Sequence, residues 1–129
     1  MTVMPNQSAR AVLGEIARLR ELSTYSPPGH SGTLNRRLVG PGFNGRFELV
    51  HGTLEPGGVA ERHKHEVEAQ VLYVLAGRAR VSLGAASPED CGPETVVRIP
   101  PGVEHEVVSL GPEALELLIV YSPPLGAGR

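Results

Sequence analysis

Aromatic side chains are scarce in this chain of 129 residues: tryptophan is absent, and Phe, Tyr and Trp together make up 4%. A core must then be assembled from Val, Leu, Ile and Ala, and the branched ones among these suit the pleated surface of a sheet. An excess of charge of either sign is also lacking. The formal net charge is -2 and the pI is near 6.2, so no basic face offers itself to a phosphate backbone and nucleic acid is not expected as a partner. No run approaches the roughly eighteen apolar residues of a membrane span, and membrane binding is not expected either. The N-terminal stretch carries Arg10, Glu15, Arg18 and Arg20 rather than the apolar centre of a secretion signal, which makes the cytoplasm the expected compartment. The single cysteine, Cys91, excludes an internal disulfide.

Turn formers, by contrast, are plentiful. Sixteen glycines and twelve prolines punctuate short apolar runs, the pattern of many strands joined by turns, and the length suits one domain. Val12, Leu13, Ile16, Leu19 and Leu22 recur at helical spacing after Ser8, a plausible N-cap, and predict a helix from Ser8 to Leu22. The glycines and prolines between Thr24 and Gly45 predict an irregular arm with a short strand near Arg36 to Val39. Residues 1–45 are thus expected to be helix and arm, 46–122 a barrel, and 123–129 a flexible tail. Within the barrel, strands are expected at Arg46–Glu55, Val59–His65, Gln70–Leu75, Ala79–Leu83, Thr95–Ile99, Glu104–Leu110 and Leu115–Tyr121, with a polar loop from Ala85 to Gly92. A helix and arm with apolar residues to cover predict a homodimer.

Three histidines and a glutamine stand at ligand spacing. The first cluster reads G-x5-H-x-H-x4-Q-x6-G through Gly57, His63, His65, Gln70 and Gly77, and the second reads P-x-G-x2-H through Pro100, Gly102 and His105. Residues two apart on a strand share a face, so His63 and His65 can present two imidazoles side by side. Gln70 opens an apolar strand that can face back toward them, and the stiff Pro100-Pro101-Gly102 turn delivers His105 from a distant strand. Glu61 shares the alternation of His63 and His65 and is a candidate pocket residue. His51 is another, although its strand pattern leaves its direction open. His30 lies in a Pro/Gly-rich loop, where a solvated histidine is the default, with the barrel mouth as the alternative.

The two clusters together resemble the paired motifs of the cupin superfamily, over about Gly57 to Ser109. The resemblance implies an all-β double-stranded β-helix, or jelly-roll barrel, to which the spacing from Ser8 to Leu22 adds one N-terminal helix, and a metal held by His63, His65, Gln70 and His105. The family's first motif usually has Glu where this chain has Gln70. Its second usually has a Gly ahead of the Pro and ends in Asn, where Glu94 and Ser109 stand here, with Gly92 near the missing Gly.

Imidazole ligands suit several divalent transition metals, and Fe, Zn, Mn and Ni all remain open. Three His and one Gln are all neutral, so the ion's charge stays uncompensated and an anionic small molecule is the expected ligand. The resemblance implies a metalloenzyme of dioxygenase, isomerase or cyclase type acting on an oxygenated or aromatic organic acid. The alternative is a metal-containing binding or sensing module, because the amide of Gln70 cannot shuttle protons as a carboxylate does.

Overall fold

The computed structural model of the chain describes residues 13–125. Nine strands follow one another: β1 (Thr24–Tyr25), β2 (His30–Val39), β3 (Glu48–His63), β4 (Ala69–Ala76), β5 (Ala79–Leu83), β6 (Glu89–Cys91), β7 (Val96–Ile99), β8 (His105–Ser109) and β9 (Leu115–Ser122). They form one curled sheet in the order β6-β5-β8-β3-β9-β4-β7, with β2 beside β3 and β1 beside β2. All these pairings are antiparallel. This is a cupin-type jelly-roll barrel. No described helix is long and apolar enough to cross a membrane.

β3 is the hinge of the architecture. Its first half, Glu48 to Leu54, pairs with β9, and its second half, Val59 to His63, pairs with β8. The Pro56-Gly57-Gly58 segment, expected to separate two strands, is instead the bend where one strand exchanges partners. Only glycine fits at its end, since a Cβ on Gly58 would lie 2.9 Å from both Glu55 O and Ser31 O. The curl brings the ends of distant strands to one mouth.

Burial alternates strictly along β9, from Leu115 to Tyr121, and the inward residues meet Val50, Leu54, Leu72, Val74, Val97 and Ile99 in the core. With so few aromatics, aliphatic side chains do fill the interior. The outward side is unusual. Rows across the sheet place Val96, Tyr73, Leu118 and His51 in one line, and Val71, Val120, Leu49 and Val39 in the next. Strands β4 and β9 are therefore apolar on both faces.

The N-terminal segment departs from expectation. The part of the expected helix before residue 13 lies outside the described residues, and residues 14–18 have no regular structure. A single 3-10 turn, Leu19–Glu21, follows. Leu13 and Ile16 are 85% and 86% exposed, so among the described residues this part of the apolar stripe meets no surface that would stabilise a helix. The arm is not irregular: β1 and the ten-residue β2 extend the barrel sheet. Arg37 fastens them, stacking over Tyr25 at 4.3 Å and donating to the buried Glu48 carboxylate at 2.8 Å. The expected polar loop carries the short strand β6. Of the tail, residues 126–129 lie outside the described residues, while Leu125 packs on the core and its N–H donates to Glu48 Oε1.

Candidate metal centre

His63 and His105 face each other at the ends of paired strands, β3 and β8. The pairing carries a bulge: between the pairs Ala60–Val107 and His63–His105, the two residues Glu61 and Arg62 oppose the single Glu106. An extra residue reverses the alternation locally, so Ala60 points inward and His63 does too. His65 follows in the loop, where its carbonyl accepts the N–H of Gly102 at 2.7 Å. That bond ties the first motif to the Pro100-Pro101-Gly102 turn of the second.

The three imidazoles converge. Ring centroids stand 4.3 Å apart for His63 and His105, 4.9 Å for His63 and His65, and 5.5 Å for His65 and His105. One nitrogen from each ring falls within 4.8 Å of the others. Two nitrogens on opposite sides of one ion would be about 4.2 Å apart at the usual bond length, so the three histidines could hold one ion with small rotations.

Hydrogen bonding fixes the tautomers. His63 Nδ1–H donates to Glu61 O at 2.6 Å, and His105 Nδ1–H donates to Val103 O at 2.9 Å. Each Nε2 then carries its lone pair inward, the arrangement in which a second hydrogen bond orients a metal-binding imidazole. Burial pushes the His105 pKa below the ordinary histidine value, the Val103 hydrogen bond opposes this, and His63 and Arg62 lower it further. The neutral, ligating form is favoured. The buried His105 Nε2 and Gln70 Oε1 have no hydrogen-bond partner. Two orphaned acceptors lining one cavity with two further imidazoles are what a cation would satisfy, and the donor set fits a divalent metal.

The cavity behind the histidines has a volume of about 250 Å³. Leu54, Leu72, Val107, Leu117 and Ile119 wall it, and His30, Glu61 and Arg62 lie among its lining residues. Glu61 is exposed, and its carbonyl is the group that orients His63. His30 is half-buried beside the site, its ring 6.4 Å from His63 and its Nδ1 3.1 Å from Thr33 Oγ1. His51 is not brought to the cavity. It belongs to the outward row of β3, where Nε2–H donates to Glu116 Oε2 at 2.7 Å.

Tyr121 and Asn35 also line the cavity, and the motif spacing gives no sign of either. For Tyr121 the alternation Leu115-Leu117-Ile119-Tyr121 was the available signal; its ring meets His65 edge-on at 5.6 Å. Asn35 was hidden because its strand reads as an irregular arm.

Comparison with known proteins agrees with this geometry. The family model described as "Cupin domain" matches residues 50–121. An uncharacterised protein of Streptomyces coelicolor is 31% identical over 67 residues, spanning 52% of this chain and 62% of that protein. Among solved structures, a predicted oxalate decarboxylase of Thermotoga maritima superposes with a TM-score of 0.76 at 22% identity, over 84% of this chain and 99% of that one. The polyketide cyclase RemF of Streptomyces resistomycificus gives 0.75 at 22% identity, over 88% and 87%. Both likenesses are of fold. With the family model spanning more than half of its length and the paired motifs on facing strands, the chain belongs to the cupin family.

Proposed function

We propose that this protein is a metal-dependent cupin enzyme acting on a small anionic organic acid, with His63, His65, His105 and Gln70 as the metal ligands. The observation that carries the reading is the pair of Nδ1–H bonds from His63 and His105, which leave two Nε2 lone pairs directed at a point shared with His65. A divalent ion held there supplies Lewis-acid chemistry at a ligand oxygen. The ligating side chains are all neutral, so an anion is favoured for electrostatic reasons. Arg62 also lines the cavity, but its guanidinium is paired with Glu104 and donates to Gly84 O, so the positive charge offered to a ligand is that of the metal. The apolar walls orient the remainder of the ligand and exclude water from it. A cavity of about 250 Å³ suits a small acid better than a large polycyclic one. The similarity in fold to a predicted oxalate decarboxylase and a polyketide cyclase is compatible with chemistry on oxygenated acids.

Gln70 favours a second reading, a module that binds such an acid without turnover, because an amide cannot pass a proton as the family's usual carboxylate can. In either case the outward apolar rows of β4 and β9 support a homodimer. Arg36 on β2 and Arg98 on the edge strand β7 flank that face and Glu116 lies between them, mixed charge around an apolar centre that suits a second copy of the chain.

The test is metal analysis of protein purified without chelator, beside His63→Ala, His65→Ala and His105→Ala. Bound metal is expected in the wild type and should fall sharply in each variant. Unchanged content in all three would refute the site. Carboxylic acids and phenols are then screened with and without oxygen, and binding with no product from any of them would select the module over the enzyme.

A further inference from the structure

Away from the histidines the cavity is walled by hydrocarbon, with Leu54, Leu72, Leu117 and Ile119 among its lining residues. Asn35 interrupts that wall. It stands on β2 opposite Gly52 of β3, is 4% exposed, and its buried Oδ1 has no hydrogen-bond partner. A carboxamide oxygen stripped of water and left unanswered destabilises a fold, and a leucine would fill such a position more favourably. The neighbouring strand nonetheless makes room for it. A Cβ on residue 52 would lie 2.8 Å from Asn35 Oδ1 and 3.2 Å from Ile119 Cδ1, so a glycine, itself unfavourable inside a strand, stands where a larger residue would displace the amide. Two unfavourable choices at one place point to a group that arrives with the ligand.

The register gives the span. Gly52 pairs with Leu117 of β9, and Tyr121, whose ring meets His65, lies further along that strand. Four residues at about 3.3 Å each separate the two rows by roughly 13 Å. A ligand reaching both ends is elongated.

Building on the reading of the cavity as an anion site beside a metal, we propose that Asn35 is a specificity-determining residue for a hydroxy acid. The carboxylate faces the histidines and Gln70, and the distal hydroxyl pairs with the Asn35 carboxamide. A hydroxyl both donates and accepts, so it satisfies the amide whichever end turns to the cavity. A ligand ending in hydrocarbon leaves the amide unanswered. Sites built to bond a hydroxyl reject the analogue lacking it far more strongly than apolar pockets separate ligands by a methylene.

Metal-loaded protein is titrated calorimetrically with 4-hydroxybenzoate, 4-hydroxyphenylacetate and 4-hydroxycinnamate, each beside its partner without the ring hydroxyl. In the wild type at least one hydroxy acid binds about tenfold or more tightly than its partner. In Asn35→Leu that ratio falls to about twofold or less, with metal content unchanged. Gly52→Ala, whose methyl displaces the amide, gives the same loss and serves if the leucine variant does not fold. Equal binding of both kinds of acid, or a hydroxyl preference that survives these substitutions, overturns the role of Asn35 and leaves the anion site standing. Failure of every carboxylate to bind the metal-loaded wild type overturns the anion site, and this proposal with it.

Discussion

An amide and a carboxylate at position 70 differ by one charge and almost no volume. Gln70 is 6% exposed with its Oε1 unpartnered, so a charge placed there is little screened by water. Gln70→Glu is expected to tighten divalent-ion binding about tenfold or more and to weaken binding of carboxylate ligands correspondingly, both read by titration calorimetry. Gln70→Ala should loosen the metal less than loss of any one histidine. An unaltered anion preference in the Glu variant would sink the charge argument. His105 makes a separate prediction for protein stripped of metal. Its pKa is lowered by burial, so the unfolded chain takes up a proton more readily than the folded one. Stability is therefore complete above the ordinary histidine value and falls as pH drops below it, down through the lowered pKa of the folded state. Melting temperature in chelator should follow that slope, and His105→Asn should flatten it.

At the scale of elements, the turn between β6 and β7 shows how a motif residue can change while its geometry persists. Glu94 is the non-glycine residue with positive φ, at 67°, among those described. It occupies the place where the family's second motif usually has glycine, and its N–H still donates to Val74 O at 2.9 Å. Nearby Gly92 does not take over, for its φ is not in that region. A side chain in the left-handed conformation costs about 1–2 kcal/mol, partly offset because glycine makes the unfolded chain freer. Glu94→Gly should thus raise stability by roughly 1 kcal/mol or less, seen as a higher denaturation midpoint with the slope unchanged. A lower midpoint would show that the Glu94 side chain contributes more than its backbone costs. The same scale shows what was legible in the sequence. Alternation and turn residues mark β5, β7 and β9, whose inward positions are consistently apolar, and the motif residues Gln70 and His105 mark β4 and β8, where polar side chains take inward places. The Pro56-Gly57-Gly58 bend and most of β2 are not legible in this way, because glycine and proline signal a turn and a bent strand alike. The inward turn of His63 depends on a bulge, set by pairing with β8, that no local pattern records.

For the molecule as a whole, the unanswered feature is the outer face of the sheet. Tyr73 and Leu75 are each 38% exposed, Val96 is 41% and Leu34 is 53%, and the register sets Tyr73 and Val96 side by side with Leu118 beyond. Strands that are apolar on both faces ordinarily have both faces covered, and apolar surface gathered in one patch favours association. A two-fold axis through such a face brings the same residues together from both copies, so any contact between them is made twice. The chain of 13.7 kDa is accordingly expected to sediment as a dimer at micromolar concentration. Charges placed in the row bring like groups together across the axis, while in the separated chain they remain in water. Tyr73→Lys combined with Val96→Lys should therefore yield a monomer that keeps its metal, since neither side chain lines the cavity. A compact wild-type monomer would show that the face stays open, and a dimer that persists in the double variant would place the contact elsewhere on the barrel.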